Sequence, residues 1–494
     1  MTPGITALEY WERRTQLAKK LPKGAIAIIA ASDVKFRSPP AVFYEFHQDS
    51  NFFYLTGFNE PDALAVISRS TDSDDDHEFH LYVREKDPKE EQWEGMRSGT
   101  QAAKDVFNAD DSGDIKDIDR WLSPIVSGAS KVYTDLFSTN KAQSFFSRFL
   151  KGSSNKIEGL AKVLESRQKA PLKDMIYELR NTKSDAEIVN MRTAGRVSGR
   201  AFTEAMRKHW HKEKDLAAFF DYKFKTGGCD ASAYLPVVAG GRNAAIIHYV
   251  ANNDLLKPDG FVLVDAGGEY GGYITDITRT WPVSGIFTPA QKDLYNAVLA
   301  AQRHCVSLCH VTASLSLDQI HDACNASLKD SLSQLGFDMS GKALEVLFPH
   351  HIGHYIGLDV HDTGGHPRNT KLKARQCVTI EPGLYIPNTE AYPARFRGIG
   401  LRIEDSVCVQ EEHPLVLTTE AVKEVFAIFV RRAKLKADIS PGRGHRGSPQ
   451  LDCTPSNSPK SHCHKSSLKS KFKGIRTLQV ERCLLQAHER MENC

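Results

Sequence analysis

The 494-residue chain has no apolar run long enough to span a bilayer. Its nearest approach, "AIAIIAA" at 25–31, is far short of the roughly twenty residues a span needs, and it lies too far along for a secretory signal. It reads as a buried strand. An acid-poor transit peptide is missing too, because the opening helical pattern carries Glu9 and Glu12. No targeting segment is therefore visible, and an intracellular protein is expected. Cysteine is sparse. None of the ten forms a C-x-x-C pair, which sets aside zinc-ribbon and thioredoxin-like motifs and any disulfide framework. Cys305 and Cys309 read as small buried thiols on a helix face, which fits a reducing compartment. Charge of one sign is lacking as well: the net is only +3, so composition does not mark a polyanion-binding protein.

What charge asymmetry exists lies in the last segment. Residues 433–494 hold twelve Lys or Arg against five Asp or Glu, in Ser-, Pro- and Gly-rich runs such as "SPGRGHRGSPQ". So few apolar residues cannot bury enough surface to order a chain, and a basic disordered tail is expected. With Phe472 its only aromatic, the tail shows no stacking pattern and no nucleic-acid module. Neither nucleic acid nor a membrane is expected as a partner.

At roughly 100–200 residues per domain the chain should hold two or three. Residues 1–176 alternate strand candidates ("GAIAIIAA", "ALAVISRS", "FHLYVRE") with helices, as in a smaller α/β domain. A new helix opens where Ser184 and Glu187 form a capping box, and another at Thr288, with Pro289 at its first position and Gln291 behind. Between and after these helices lie strand pairs rather than βαβ repeats. Residues 177–432 are thus expected to form an α+β catalytic domain of antiparallel sheets with covering helices.

Within "FVLVDAGGEYGGYITDITRTW" two β-rich runs flank a glycine-rich turn. Centring that turn on Tyr270-Gly271 places Glu269 opposite Gly272, Gly267 opposite Ile274, and Asp265 opposite Asp276. Opposed Cβ atoms lie only about 4.5–5.5 Å apart, so like charges there need a cation between them. More carboxylates occupy strand contexts, Glu381 in "CVTIEPGLYI" and Glu404 in "GIGLRIEDSVCV", where acidic residues are depleted and costly unless paired or coordinated. The stretch "PHHIGHYIGLDVHDTGGHP" adds His350, His351, His354, His361 and His366. His354 can complete a set of four carboxylates around cations. Oxygen-dominated ligation with one imidazole favours Mn²⁺ or Mg²⁺, with Zn²⁺ and Co²⁺ also compatible.

In this order, Asp265, Asp276, "HHIGH", "TIEPGLY" and "LRIED" resemble the dinuclear site of the pita-bread metallopeptidases, and "FHQDSNFFYLTGFNEPDA" at 46–63 is similar to the amino-terminal domain of aminopeptidase P. Together the likeness runs over residues 5–430, leaning to the mitochondrial forms: the Xaa-Pro aminopeptidase 3 type and the intermediate-cleaving peptidase. It implies that Asp265 binds one metal, that His354 and Glu381 bind the other, and that Asp276 and Glu404 bridge. Two divalent ions per chain, Mn²⁺ first among them, are thereby expected. The resemblance also makes His248 and His361 catalytic histidines near the scissile peptide, and Glu381 the group that passes a proton to the leaving nitrogen. It places His350 and Tyr385 around the substrate, has Arg402 orient Glu404 or nearby substrate, and gives Trp93 to a neighbouring subunit's site in a dimer or tetramer. His351 and His366 are left as structural or solvent-facing.

The activity so implied is release of one amino-terminal residue from a peptide or protein, with proline preferred at the second position. Trimming of imported mitochondrial proteins without a strict proline requirement is an alternative. A dipeptide-restricted prolidase and a metal-free pita-bread binding protein are others. The resemblance points to the mitochondrion, while the lack of a visible presequence leaves the cytoplasm open.

Overall fold

The computed structural model describes residues 2–428, apart from 40, 70–76, 138, 149, 151–153, 426 and 427. The basic tail expected at 433–494 lies outside the described residues. Among those described, no helix is long and apolar enough to cross a membrane.

Residues 25–30 form the middle strand of a five-stranded mixed sheet. Its order is His77–Tyr82, Leu64–Arg69, Ala25–Ala30, Lys131–Thr134, Lys169–Ala170, with the first three antiparallel and the last three parallel. Ile28 sits between Val66 and Thr134 and is fully buried, as an apolar strand covered on both faces requires. Helix Ala7–Lys20 starts at Thr6, whose hydroxyl accepts from Glu9 N, and helix Ser50–Thr56 starts at Asp49 in the same way from Phe52 N. Gly57 then ends the second helix in the left-handed region (φ 67°), where a Cβ would strike Tyr10.

Three long helices, Asp185–Ala205, Pro289–Ser307 and Leu317–Gln334, each begin with a capping box, including the two read from Ser184/Glu187 and Thr288/Gln291. Glu187 serves twice. Its other oxygen accepts from Tyr273 and lies 3.4 Å from Arg13 of the first helix, tying the amino-terminal sheet region to the second half.

The strands of that second half come in four interrupted arms. Phe261–Asp265 continues as Gly268–Tyr270; Tyr273–Ile274 as Thr278–Pro282; Cys377–Ile380 as Gly383–Tyr385; and Gly400–Arg402 as Asp405–Cys408. In each arm the pieces belong to different sheets, so the chain changes sheet at the break. The register corrects the sequence reading. Tyr270 pairs with Tyr273 and Asp265 with Thr278, so the turn is Gly271-Gly272 and Asp276 sits diagonally from Asp265. The reason is backbone sterics. Both turn residues have positive φ, 60° and 82°, as a tight hairpin demands, and a Tyr270-centred turn would force a side chain into that region. Glu404 likewise lies in the break after Arg402 and not in mid-strand.

Candidate metal centre

All four acids of the expected set sit at strand ends or breaks: Asp265 ends its strand, Asp276 lies between Ile274 and Thr278, and Glu381 and Glu404 follow Ile380 and Ile403. A break frees the side chain from the regular alternation and lets it be re-aimed, as bulges beside active sites do. Here they converge. The Tyr234 hydroxyl lies 2.6 Å from Asp265 Oδ1 and 2.5 Å from Asp276 Oδ1, and His354 Nε2 lies 3.6 Å from both Asp276 Oδ2 and Glu381 Oε1. Ligand atoms of Asp276, His354 and Glu404 all fall within 4.8 Å of one another. Separations of 3.6 Å are long for hydrogen bonds but suit ligands sharing one ion at about 2.1 Å each.

A polar layer behind the acids fixes them. Thr278 Oγ1 donates to Glu404 Oε2 at 2.6 Å, and Thr379 Oγ1 donates to Glu381 Oε1 at 3.2 Å while accepting from His354 N at 3.0 Å. Arg402, 2% exposed, donates to Asp265 at 2.5 Å, to the Tyr385 hydroxyl at 2.8 Å and to Thr278 Oγ1 at 2.9 Å. Through Thr278 it reaches Glu404. His350 Nε2 lies 2.8 Å from the Tyr385 hydroxyl, so Tyr385, itself buried, backs His350.

Electrostatics show what this pocket lacks. Burial and the surrounding carboxylates hold Glu404 well above the usual range. Burial raises Glu381 to about 7 against the pull of His354 and Arg402, and burial with the Asp276 charge raises Asp265 to about 6. Burial would also raise Asp276, but its attraction to nearby His354 and the hydrogen bond from Tyr234 outweigh it. His354 goes up to about 9, since Asp276 and Glu381 overcome its own desolvation. When ionised, the four acids outnumber the positive charges of Arg402 and a protonated His354. Among the described residues, moreover, buried Glu404 Oε1 has no hydrogen-bond partner. An orphaned carboxylate oxygen among mutually repelling acids fits a cation-binding set.

The histidines divide. His361 is exposed, its ring edge-on to His354 with centroids 4.4 Å apart, and His248 is exposed as well. His350 is pushed down to about 3, by burial first and then by Arg402, so it stays neutral. His351 stacks on His321 at 4.7 Å and meets Asp318, whereas His366 packs edge-on against Tyr355. Neither of these two joins the cluster. Trp93 stays 87% exposed on helix Pro88–Glu94 of the amino-terminal region. Sequence reasoning missed Tyr234, Thr278 and Thr379. For the threonines a signal existed: each lies two residues from a ligand, Thr278 from Asp276 and Thr379 from Glu381. For Tyr234, in "SAYLP", there was none.

Comparison with known proteins accords with this geometry. Residues 189–411 match the metallopeptidase family M24 and residues 10–133 the aminopeptidase P N-terminal domain. The chain is 46% identical to intermediate cleaving peptidase 55 of Saccharomyces cerevisiae over 430 residues, 86% of this chain and 84% of that protein. It is 36% identical to human Xaa-Pro aminopeptidase 3, covering 86% of each. A third relative, intermediate cleaving peptidase 55, mitochondrial, of Arabidopsis thaliana, is 35% identical over 86% of this chain and 83% of its own. Among solved structures, S. cerevisiae Icp55 superposes with a TM-score of 0.79 at 44% identity, over 87% of this chain and 97% of that one. Zinc-substituted Escherichia coli aminopeptidase P in complex with product gives 0.78 at 30%, over 87% and 99%. With an amino-terminal domain followed by a pita-bread domain, and with metallopeptidase relatives across both, the chain belongs to the aminopeptidase P family of M24 metallopeptidases.

Proposed function

We propose that the chain hydrolyses the first peptide bond of its substrates, releasing one amino-terminal residue, with proline preferred at the second position. The observation that carries this is the convergence of Asp276, His354 and Glu404, whose ligand atoms lie within 4.8 Å of one another, with Glu381 Oε1 3.6 Å from His354 Nε2 and Asp265 joined to Asp276 through the Tyr234 hydroxyl. Asp265 would hold one divalent ion, His354 and Glu381 the other, and Asp276 and Glu404 both. Mn²⁺ is the first choice for so oxygen-rich a set, although zinc occupies the E. coli relative named above. Such ions, when bound, supply a Lewis acid and an activated water.

The chain's own groups do the rest. Carboxylates near the site attract the substrate's free ammonium group, which fixes which bond is first. His361, edge-on to His354, and the exposed His248 contact the scissile peptide and offer donors where oxyanion charge develops. Glu381 moves the proton to the leaving nitrogen. Proline brings a fixed φ to the second position, so a wall formed by His350, with Tyr385 behind it, accepts the ring at little ordering cost.

This reading keeps the three-part division at 1–176, 177–432 and 433–494. It also makes Trp93 a residue offered to a second copy in a homo-oligomer, since 87% exposure leaves its indole unused within the chain. The mitochondrion is the proposed location, from the relative whose name carries it. A second reading, trimming of protein amino termini without strict need for proline, is favoured by the intermediate-cleaving relative at 46% identity.

A peptide panel, X-Pro-Y against X-Ala-Y, free and acetylated, separates the two with Mn²⁺-loaded protein. Release of only the first residue, from X-Pro-Y above X-Ala-Y, is expected, with no cleavage after acetylation. Internal cleavage, cleavage of acetylated peptides, or indifference to X-Pro with metal bound would overturn the proposal.

A further inference from the structure

The segment that carries His361 is gripped from behind by a buried ion network reaching into the amino-terminal domain. Asp362, the next residue, has its carboxylate oxygens taken separately: Oδ1 by Arg180 and Oδ2 by Lys183 Nζ at 3.0 Å. All three side chains are 1–2% exposed. Arg180, from helix Lys173–Asn181, also donates to Asp359 Oδ2 at 2.7 Å and to Asn51 Oδ1 at 2.6 Å. Ser50 Oγ closes the circuit by donating to Asp359 Oδ1 at 2.6 Å. Ser50 and Asn51 open helix Ser50–Thr56, inside the "FHQDSNFFYLTGF" stretch, for which the metal centre provides no use.

The backbone here is held against its own preference. Thr363, a buried β-branched residue, has φ +46°, which such residues rarely adopt. A conformation of that kind persists only where its surroundings over-determine it. The ion pairs on Asp362 and the bond from Asp362 N to Tyr355 O at 2.9 Å do so. Gly357 seals the arrangement, since a Cβ there would meet Asp362 Oδ2 at 2.5 Å and Lys183 Cε at 2.9 Å. His361 itself is exposed, so its chain neighbours set where its ring stands over His354.

We propose that Arg180, Lys183 and Asn51 are positioning residues that act through Asp362 to hold His361 at the reacting peptide, coupling the amino-terminal domain to catalysis. The inference rests on the reading of His361 as catalytic. The experiment compares Asp362→Asn and Asn51→Ala, each alone and combined with His361→Ala, in Mn²⁺-loaded protein on an X-Pro peptide. It reads kcat, KM and bound metal.

Each single network variant should lower kcat, on the order of 10–100-fold for Asp362→Asn and less for Asn51→Ala, with KM and metal content little changed. In the His361→Ala background the same changes should cost almost nothing further, because they act through that ring. Losses that multiply undiminished in that background would show a general structural role and overturn the proposal. Asn51→Ala removes one hydrogen bond and leaves the buried charges paired, so it decides the matter even if Asp362→Asn fails to fold. Wild-type kcat in Asn51→Ala would refute the coupling. If His361→Ala alone left kcat unchanged, the reading of His361 would fall instead, and the coupling with it.

Discussion

Asp405, next to Glu404, should contribute measurably to the acid sensitivity of the fold. It is 1% exposed and faces Arg279, also 1% exposed, at 2.6 Å; Lys423 Nζ, Gln302 Nε2 and Thr418 Oγ1 take the rest of its carboxylate. Burial alone would raise it, but the Arg279 and Lys423 charges outweigh burial and hold it at about 2. An unfolded aspartate takes its proton near about 3.9, so the folded value is depressed by almost two units, or about 2–3 kcal/mol. The sign follows. Between pH 4 and 2 the unfolded chain binds more protons than the native one, so this contribution is complete above about pH 5 and lost as pH falls through about 2.

Asp405→Asn removes that titration and leaves Arg279 and Lys423 without their counter-charge, a one-sided loss worth about 3–5 kcal/mol. The assay is urea unfolding of chelated wild type and variant from pH 7 to pH 2. Acids remote from residue 405 titrate alike in both proteins and cancel in the difference. Expected are a variant less stable by about 3–5 kcal/mol at pH 7 and a gap that narrows by about 2–3 kcal/mol toward pH 2. Equal pH slopes in the two proteins would refute the reasoning.

Glu404→Gln and Asp276→Asn should each strip most bound metal and nearly all hydrolysis, measured by elemental analysis and peptide turnover; full metal content with near-normal turnover would remove them from the ligand set. Gly353→Ala places a Cβ 1.9 Å from Thr379 O, so the backbone beside His354 must shift. Weaker metal affinity and a Tm lowered by several degrees should follow, whereas unchanged metal binding would mean that His354 tolerates the movement. Gly272→Ala combines φ +82° with a Cβ contact of 2.6 Å to Phe53, and should lose about 1–2 kcal/mol in denaturant unfolding. No loss there would argue against the Gly271-Gly272 turn.

How far the sequence could be read depended on what each element needs. Capping boxes at Ser184 and Thr288 were legible because the side chains that satisfy a helix start lie within four residues of it. The ligand types were legible because Asp, Glu and His are conspicuous among apolar strands. The hairpin register was misread because "GGEYGG" offers several turn centres. The demand for positive φ at both positions leaves its two Gly-Gly pairs, and the pairing of Tyr270 with Tyr273 puts the turn at Gly271-Gly272. The breaks in the four arms left no mark in the pattern, since pairing resumes in step beyond them: Ala266 N still bonds Ile277 O, and Thr275 N bonds Gly268 O. Tyr234 and the Asn51–Arg180–Asp362 network join residues far apart in the chain, and no local spacing announces a contact of that range.

Those breaks explain how a fold can carry four acids in its sheets. An inward carboxylate in an unbroken strand would face packed apolar neighbours and a heavy desolvation cost. At a break the strand changes sheet, so the side chain opens into the space between layers while the backbone on either side keeps its ladder. The threonines at 278 and 379 and Tyr234 then supply hydroxyls at hydrogen-bond distance, and Arg402 supplies the one buried cation that reaches Asp265 directly. These groups fix geometry but offset only part of the charge. The frame is therefore ordered by the chain yet electrostatically incomplete, and the Glu404 oxygen left unpaired at its centre marks where positive charge must enter.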